Sequence, residues 1–122
     1  MKKIYTIKQN SVFTRIYSKG KSCVLPTVVV YVRKNPRLSH SELGITVAKK
    51  LGGAVQRNRA RRLIRESWRL IARENEGLLD LPYYVVVVAR SRCFRKNMKM
   101  QTVKRDLTSG LITLGLIEDE GE

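Results

Sequence analysis

The chain has 122 residues, 43% of them apolar, and sets 25 Lys plus Arg against ten Asp plus Glu, for a formal charge of +15. That length suits one domain with a real core. A compact body this basic repels itself unless a polyanion answers it. The sequence shows neither an apolar run of 18 residues nor an N-terminal signal pattern, so a cytoplasmic protein with no membrane partner is expected.

The first predicted helix runs from Asn10 to Lys19. Asn10 or Ser11 can cap its start, and Gly20 follows where a left-handed residue is wanted. Phe13, Ile16 and Tyr17 share one face by their spacing. The β-branched stretch Val24 to Arg33 predicts a single strand, with Pro26 tolerated near its beginning. Asn35-Pro36 breaks it, and 34–41 reads as a polar loop. Leu43 to Ala48 predicts a second strand, followed by Lys49, Lys50 and the Gly52-Gly53 pair. A long helix is expected from Ala54 to Glu74. Tyr83 to Ala89 is an almost unbroken apolar run, the pattern of a strand buried on both faces. Ser91 to Lys99 is basic and irregular. The last helix is expected from Lys99 to Leu114, with Met100, Val103, Leu107, Leu111 and Leu114 on one stripe and Gly115 at its end. The order is α-β-β-α-β-α, an α+β sandwich in one domain over residues 1–117.

Four of the ten acids, Glu118, Asp119, Glu120 and Glu122, fall in the last five residues. Residues 118–122 therefore read as a disordered acidic tail. A tail that folds back on the basic surface as a nucleic-acid mimic is the other reading. Cys23 and Cys93 have no metal or redox spacing, and the single His40 sits in a polar stretch, so free thiols and no metal site are expected. Asp80 and Asp106 are isolated and read as loop or surface acids. No catalytic constellation is present.

The long helix is the most informative segment. At 100° per residue, Ala60, Leu63, Ile64, Ser67, Trp68 and Ile71 fall on one face. Asn58, Arg61, Arg62, Arg65, Arg69 and Arg73 fall opposite. Seven arginines lie between positions 57 and 73, with Glu66 as the single acid. A solvated helix face normally mixes signs through i, i+4 pairs. Like charges one turn apart cost stability unless an anion answers them. The guanidinium fork also matches phosphate bidentately. The helix N-terminus near Ala54, with Lys49 and Lys50 before it, adds a further site for phosphate.

The run GITVAKKLGGAVQRNRARRLIRESWR, residues 44–69, resembles the signature of the bacterial ribonuclease P protein family. A strand ends in a Lys-Lys pair, a Gly-containing turn follows, and a helix opens on Arg57-Asn58-Arg59, with Arg62 and Arg65 matching later basic positions. VFTRIYSKGKS (12–22) is similar to the family's opening helix, VVVYV (28–32) to its first strand and VVVVAR (85–90) to its strand before the last helix. Gly53, Gln56 and Tyr17 depart from the residue types common there. The resemblance implies a left-handed βαβ crossover, which the sequence cannot reveal. It also implies a non-catalytic protein subunit of an RNA-based endoribonuclease that removes the 5′ leader of precursor tRNA. Its expected partners are ribonuclease P RNA and precursor tRNA, with no DNA. The protein alone holds no cofactor, and Mg²⁺ acts with the RNA.

The resemblance implies that Lys49, Lys50, Arg57, Asn58, Arg59, Arg61, Arg62, Arg65 and Arg69 bind the RNA subunit, and that a cleft beside the first helix binds the leader. Phe13, Tyr17, Tyr31, Thr46 and Arg90 are the candidates for that cleft. Aromatics beside a positive groove are the means by which single strands are held. Phe13 reads equally as core; Tyr17 and Tyr31 carry polar ends that favour the cleft. Two other classes fit the charge: a ribosomal or RNA-chaperone protein without an enzymatic partner, and a DNA-binding protein. The second would want a helix-turn-helix pair or a dimer, where this sequence has a strand and a glycine turn.

Overall fold

The computed structural model describes residues 3–119; Glu120 and Glu122 of the predicted tail lie outside them, while Glu118 and Asp119 are exposed. In chain order the elements are β1 (Tyr5–Thr6), α1 (Asn10–Lys19), β2 (Lys21–Val24), β3 (Val28–Lys34), β4 (Glu42–Thr46), α2 (Ala54–Glu74), β5 (Tyr83–Ala89) and α3 (Met100–Thr113), with short 3-10 turns at Lys49–Leu51, Leu78–Asp80 and Ser91–Phe94. The sheet order is β1-β4-β5-β3-β2. β4 runs parallel to β5 and to β1, whereas β3 is antiparallel to β5 and to β2. The fold is thus α+β, with α2 and α3 on one face of the sheet and α1 on the other.

The two faces follow from period-two alternation. Val28, Val30 and Val32 of β3 join Val85, Val87 and Ala89 of β5 in the main core, together with Ile64, Trp68 and Ile71 of α2 and Val103, Leu107 and Leu111 of α3. The opposite face holds a smaller cluster of Ile7, Ile16 and Val86, flanked by Phe13 and Tyr31. The centre of β5, Val85 to Val87, is therefore covered on both sides, as the apolar run predicts, while Val88 is half-buried. The predicted α2 stripe is also found: Ala60, Ile64, Ser67, Trp68 and Ile71 are buried, and Leu63 is half-buried against the core.

Several expectations are corrected. The single strand Val24 to Arg33 is instead a hairpin of β2 and β3. Pro26 lies in its turn, where Leu25 N–H donates to the Val28 carbonyl at 2.9 Å. A residue without an N–H fits a turn better than the interior of a sheet. The second strand starts at Glu42 and ends at Thr46; Val47 leaves the ladder but stays buried. β1 was not expected at all. Neither Asn10 nor Ser11 caps α1: the N-cap is Gln9, and no side chain caps the helix start. Gly20 is not left-handed, with φ of −81°. It is required for closeness, since a Cβ there would stand 2.6 Å from the Ile16 carbonyl oxygen and 2.7 Å from that of Val32. Gly115, with φ of 84°, does take the left-handed form at the end of α3.

Asp106 is not a surface acid. It is 5% exposed, and its carboxylate accepts hydrogen bonds from both the amide and the hydroxyl of Thr27. It ties α3 to the start of β3 in the core.

Candidate nucleic-acid interface

α2 is fixed to the sheet by its apolar stripe, so its other side is presented outward. Asn58, Arg62, Arg65 and Arg73 are exposed; Arg57, Arg61 and Arg69 are half-buried. Lys49 and Lys50 are exposed in the 3-10 turn that precedes the helix. Gly53 stands at the N-cap, and its N–H donates to Oε1 of Gln56 at 2.6 Å, which satisfies one of the free donors of the first turn. Arg61 donates to Oδ1 of Asn58 at 3.2 Å, and Arg69 lies 3.5 Å from Glu66. The Nε of Arg57 is buried with no partner among the described residues. Beside the helix, Arg61, Arg65 and Arg69 form one wall of a groove whose other wall includes Ile7, Phe13 and Leu43.

Arg59 does not join this outward row. It is half-buried, and its guanidinium donates to the backbone carbonyls of Arg95 and Met98. The helical wheel leaves it between the two faces, and its partners are distant in sequence.

The second surface lies on the α1 side of the sheet. Tyr17 projects from α1 with 38% of its surface exposed, and its hydroxyl is 2.7 Å from Oγ1 of Thr46 on β4. Its ring meets Tyr31 of β3 edge-on, with centroids 5.0 Å apart. Phe13, one turn earlier, is half-buried and lies over Gly44, where a Cβ would come within 2.6 Å of its ring. Of the three aromatics, Tyr17 is the exposed one, while Phe13 and Tyr31 are both half-buried against the Ile7, Ile16 and Val86 cluster. Arg90 follows the end of β5 with an exposed side chain that donates to the Leu25 carbonyl at 2.8 Å.

Past the end of α1 the sheet is open. Val24, Val29, Val88 and Thr46 stand in register across β2, β3, β5 and β4. Val24 is 63% exposed, and the other three are half-buried. This apolar floor was missed from the sequence. The signal was present, because Val29 lies two residues before Tyr31 and must share its face.

Both thiols are free; Cys23 is half-buried and Cys93 buried. Burial pushes the Cys93 thiol up to about 11, with the Arg59 charge acting in the opposite sense. His40 stacks on Tyr5 with centroids 3.6 Å apart and lies 3.6 Å from Glu42. Among the described residues, no three His, Cys, Asp or Glu side chains are grouped to hold a metal. No helix among them is long and apolar enough to cross a membrane.

An arginine-faced helix on one side of a sheet and an open, tyrosine-edged floor on the other define a small basic α+β protein of the polyanion-binding class. The model of the family described as ribonuclease P matches residues 1–115. The chain is 39% identical over 107 residues to the ribonuclease P protein component of Staphylococcus carnosus, covering 88% of this chain and 87% of that one. It is 35% identical over 119 residues to that of Oceanobacillus iheyensis, covering 98% and 93%. The structure superposes on the ribonuclease P protein of Staphylococcus aureus with a TM-score of 0.78 at 34% identity, over 95% of this chain and 100% of that one. For the protein from Thermotoga maritima the TM-score is 0.69 at 32% identity, over 85% and 92%. The chain belongs to the ribonuclease P protein family. Its role is that of the non-catalytic protein component of an RNA-based ribonuclease.

Proposed function

We propose that this chain uses two separate surfaces in the cytoplasm, one for the ribonuclease P RNA and one for the single-stranded 5′ leader of precursor tRNA. The outward residues of α2, with Lys49 and Lys50, take the phosphates of the RNA subunit. The floor edged by Tyr17, Tyr31 and Thr46 takes the leader, and Arg90 supplies a phosphate contact at its end. Phe13 supports that floor from beneath α1. The observation that carries this reading is the open row Val24, Val29, Val88 and Thr46 beside two tyrosines. A packed sandwich would cover such a row, whereas unpaired bases can lie on it and stack at its edge.

Arginines presented one turn apart support the first half of the reading, because their mutual repulsion is relieved by a polyanion. Hydrolysis of the phosphodiester belongs to the RNA with its Mg²⁺ ions, which lower the barrier as metals do at phosphoryl centres. The protein itself holds no cofactor and has no use for DNA. The test is reconstitution with a bacterial ribonuclease P RNA at low Mg²⁺. Cleavage of precursor tRNA should be strongly stimulated by this chain. No stimulation, with RNA binding intact, would leave a structural RNA binder instead.

A further inference from the structure

The segment 91–99 between β5 and α3 carries Arg92, Arg95, Lys96 and Lys99, all exposed. Among the described residues none of the four forms an ion pair. A basic segment of this kind next to an arginine helix should be repelled from it, yet it is tied down along its length. Cys93 is fully buried. Phe94 lies against Gly52, where a Cβ would stand 2.9 Å from its ring. Met98 packs on the main core. Arg59 then reaches across from α2 and donates to two carbonyls of the segment, those of Arg95 at 3.2 Å and of Met98. A forked cation that bridges carbonyls three residues apart fixes backbone, not charge.

We infer that segment 91–99 is a further phosphate-binding surface for the ribonuclease P RNA, and that Arg59 is its positioning residue. The inference rests on the assignment of α2 to that RNA. Gly52 and Arg59 anchor the segment to the beginning of α2, next to Lys49 and Lys50. Arg92, Arg95 and Lys96 therefore extend the same basic surface. The fold gathers like charges there by means of an arginine, a costly arrangement that an RNA backbone relieves.

The experiment is titration of the full chain with a bacterial ribonuclease P RNA over a range of salt. The triple variant Arg92→Gln, Arg95→Gln, Lys96→Gln should lower the slope of log affinity against log salt by about 0.7 to 0.9 for each phosphate no longer neutralised. Affinity at physiological salt should fall about fivefold per phosphate. Arg59→Lys keeps the charge but not the fork, and should also weaken assembly. Added to the triple variant, it should cost nothing more. Amide exchange at 95–99 should rise in Arg59→Lys, which reports the loosened segment directly.

An unchanged slope in the triple variant overturns the surface. Wild-type affinity in Arg59→Lys, or a full further loss on top of the triple variant, overturns the positioning role. A loss confined to binding of precursor tRNA by assembled holoenzyme overturns the choice of partner. Arg65→Ala is the control for α2: if it too leaves assembly untouched, the reading of that helix fails first. If only the segment variants are silent, this inference fails alone.

Discussion

Asp106, in the middle of α3, accepts two hydrogen bonds from Thr27, from its amide at 3.0 Å and from its hydroxyl at 2.7 Å. Both residues are buried, and they are 79 positions apart. The pair closes the turn of the β2–β3 hairpin onto the last helix. Gly110, one turn further along α3, allows the approach, since a Cβ there would meet Leu25 at 2.9 Å and Val30 at 3.0 Å.

Replacement of Asp106 by Ala should therefore cost about 3 kcal/mol, because it strands two buried donors as well as losing the bonds. Asp106→Asn keeps an acceptor and should cost less. Urea denaturation of the free protein measures both. Equal, small losses would mean that water enters and satisfies Thr27.

Removal of the cleft tyrosines should act on substrates that carry a leader and on no others. Tyr17→Ala and Tyr31→Ala should weaken holoenzyme affinity for precursor tRNA by roughly 1–3 kcal/mol per stack removed. Affinity for mature tRNA and assembly with the RNA subunit should stay as they were. Phe13→Ala is different, because the ring packs on Gly44 and its loss should loosen α1 itself. Equilibrium binding of both tRNAs at fixed salt decides the matter; equal losses for the two would return the tyrosines to a supporting role.

The arginine helix should show itself in salt dependence. Arg61→Ala and Arg65→Ala should each lower the slope for binding the RNA subunit by about 0.7 to 0.9. Leader discrimination should persist in the complexes that still form. Slopes that match wild type in both variants would turn this face of α2 away from RNA.

The two cysteines should differ in reactivity. The Cys93 thiol is raised from 9.0 to about 11 by burial, so it stays protonated and shielded at pH 8, and Cys23 should alkylate first. In urea the two should react alike. The unfolded chain gives up the Cys93 proton near its ordinary value, while the folded chain keeps it. Stability contributed by this group is thus complete below about pH 9 and is lost as pH rises towards 11. Cys93→Ala should flatten that part of a pH–stability curve, and a curve unchanged by it would argue that the thiol titrates normally.

Features with a repeating pattern were readable in the sequence. The bounds of α2, the burial of the centre of β5 on both faces and the stripe of α3 all came from the pattern of apolar residues. Features made by partners distant in sequence were not. β1 has two residues and exists because β4 offers it an edge. Asp106 looked isolated because Thr27 is far away along the chain. The helical wheel sets Arg59 apart from the outward row, but nothing local says that the carbonyls of Arg95 and Met98 will lie beside it. The hairpin at Pro26 was lost for a third reason: Lys21–Val24 has little apolar content, and only Val24 resembles the strand that follows. For the site, the residue types were legible and their directions only partly so.

β4 is five residues long and serves both sides of the molecule. Leu43 and Ile45 face α2, while Gly44 lies under Phe13 and Thr46 meets Tyr17. Side chains alternate strictly along a strand, so gaining or losing one residue inside it exchanges the faces. Leucine and isoleucine would then press into α1 and the cleft, and glycine and threonine would leave holes beneath the arginine helix. A length change in this one strand would thus disable both surfaces together, whereas the turn at 36–39 just before it, where Pro36, Arg37 and Ser39 are exposed, can absorb an insertion at less cost. The strand is the place where the two surfaces cannot drift independently of each other.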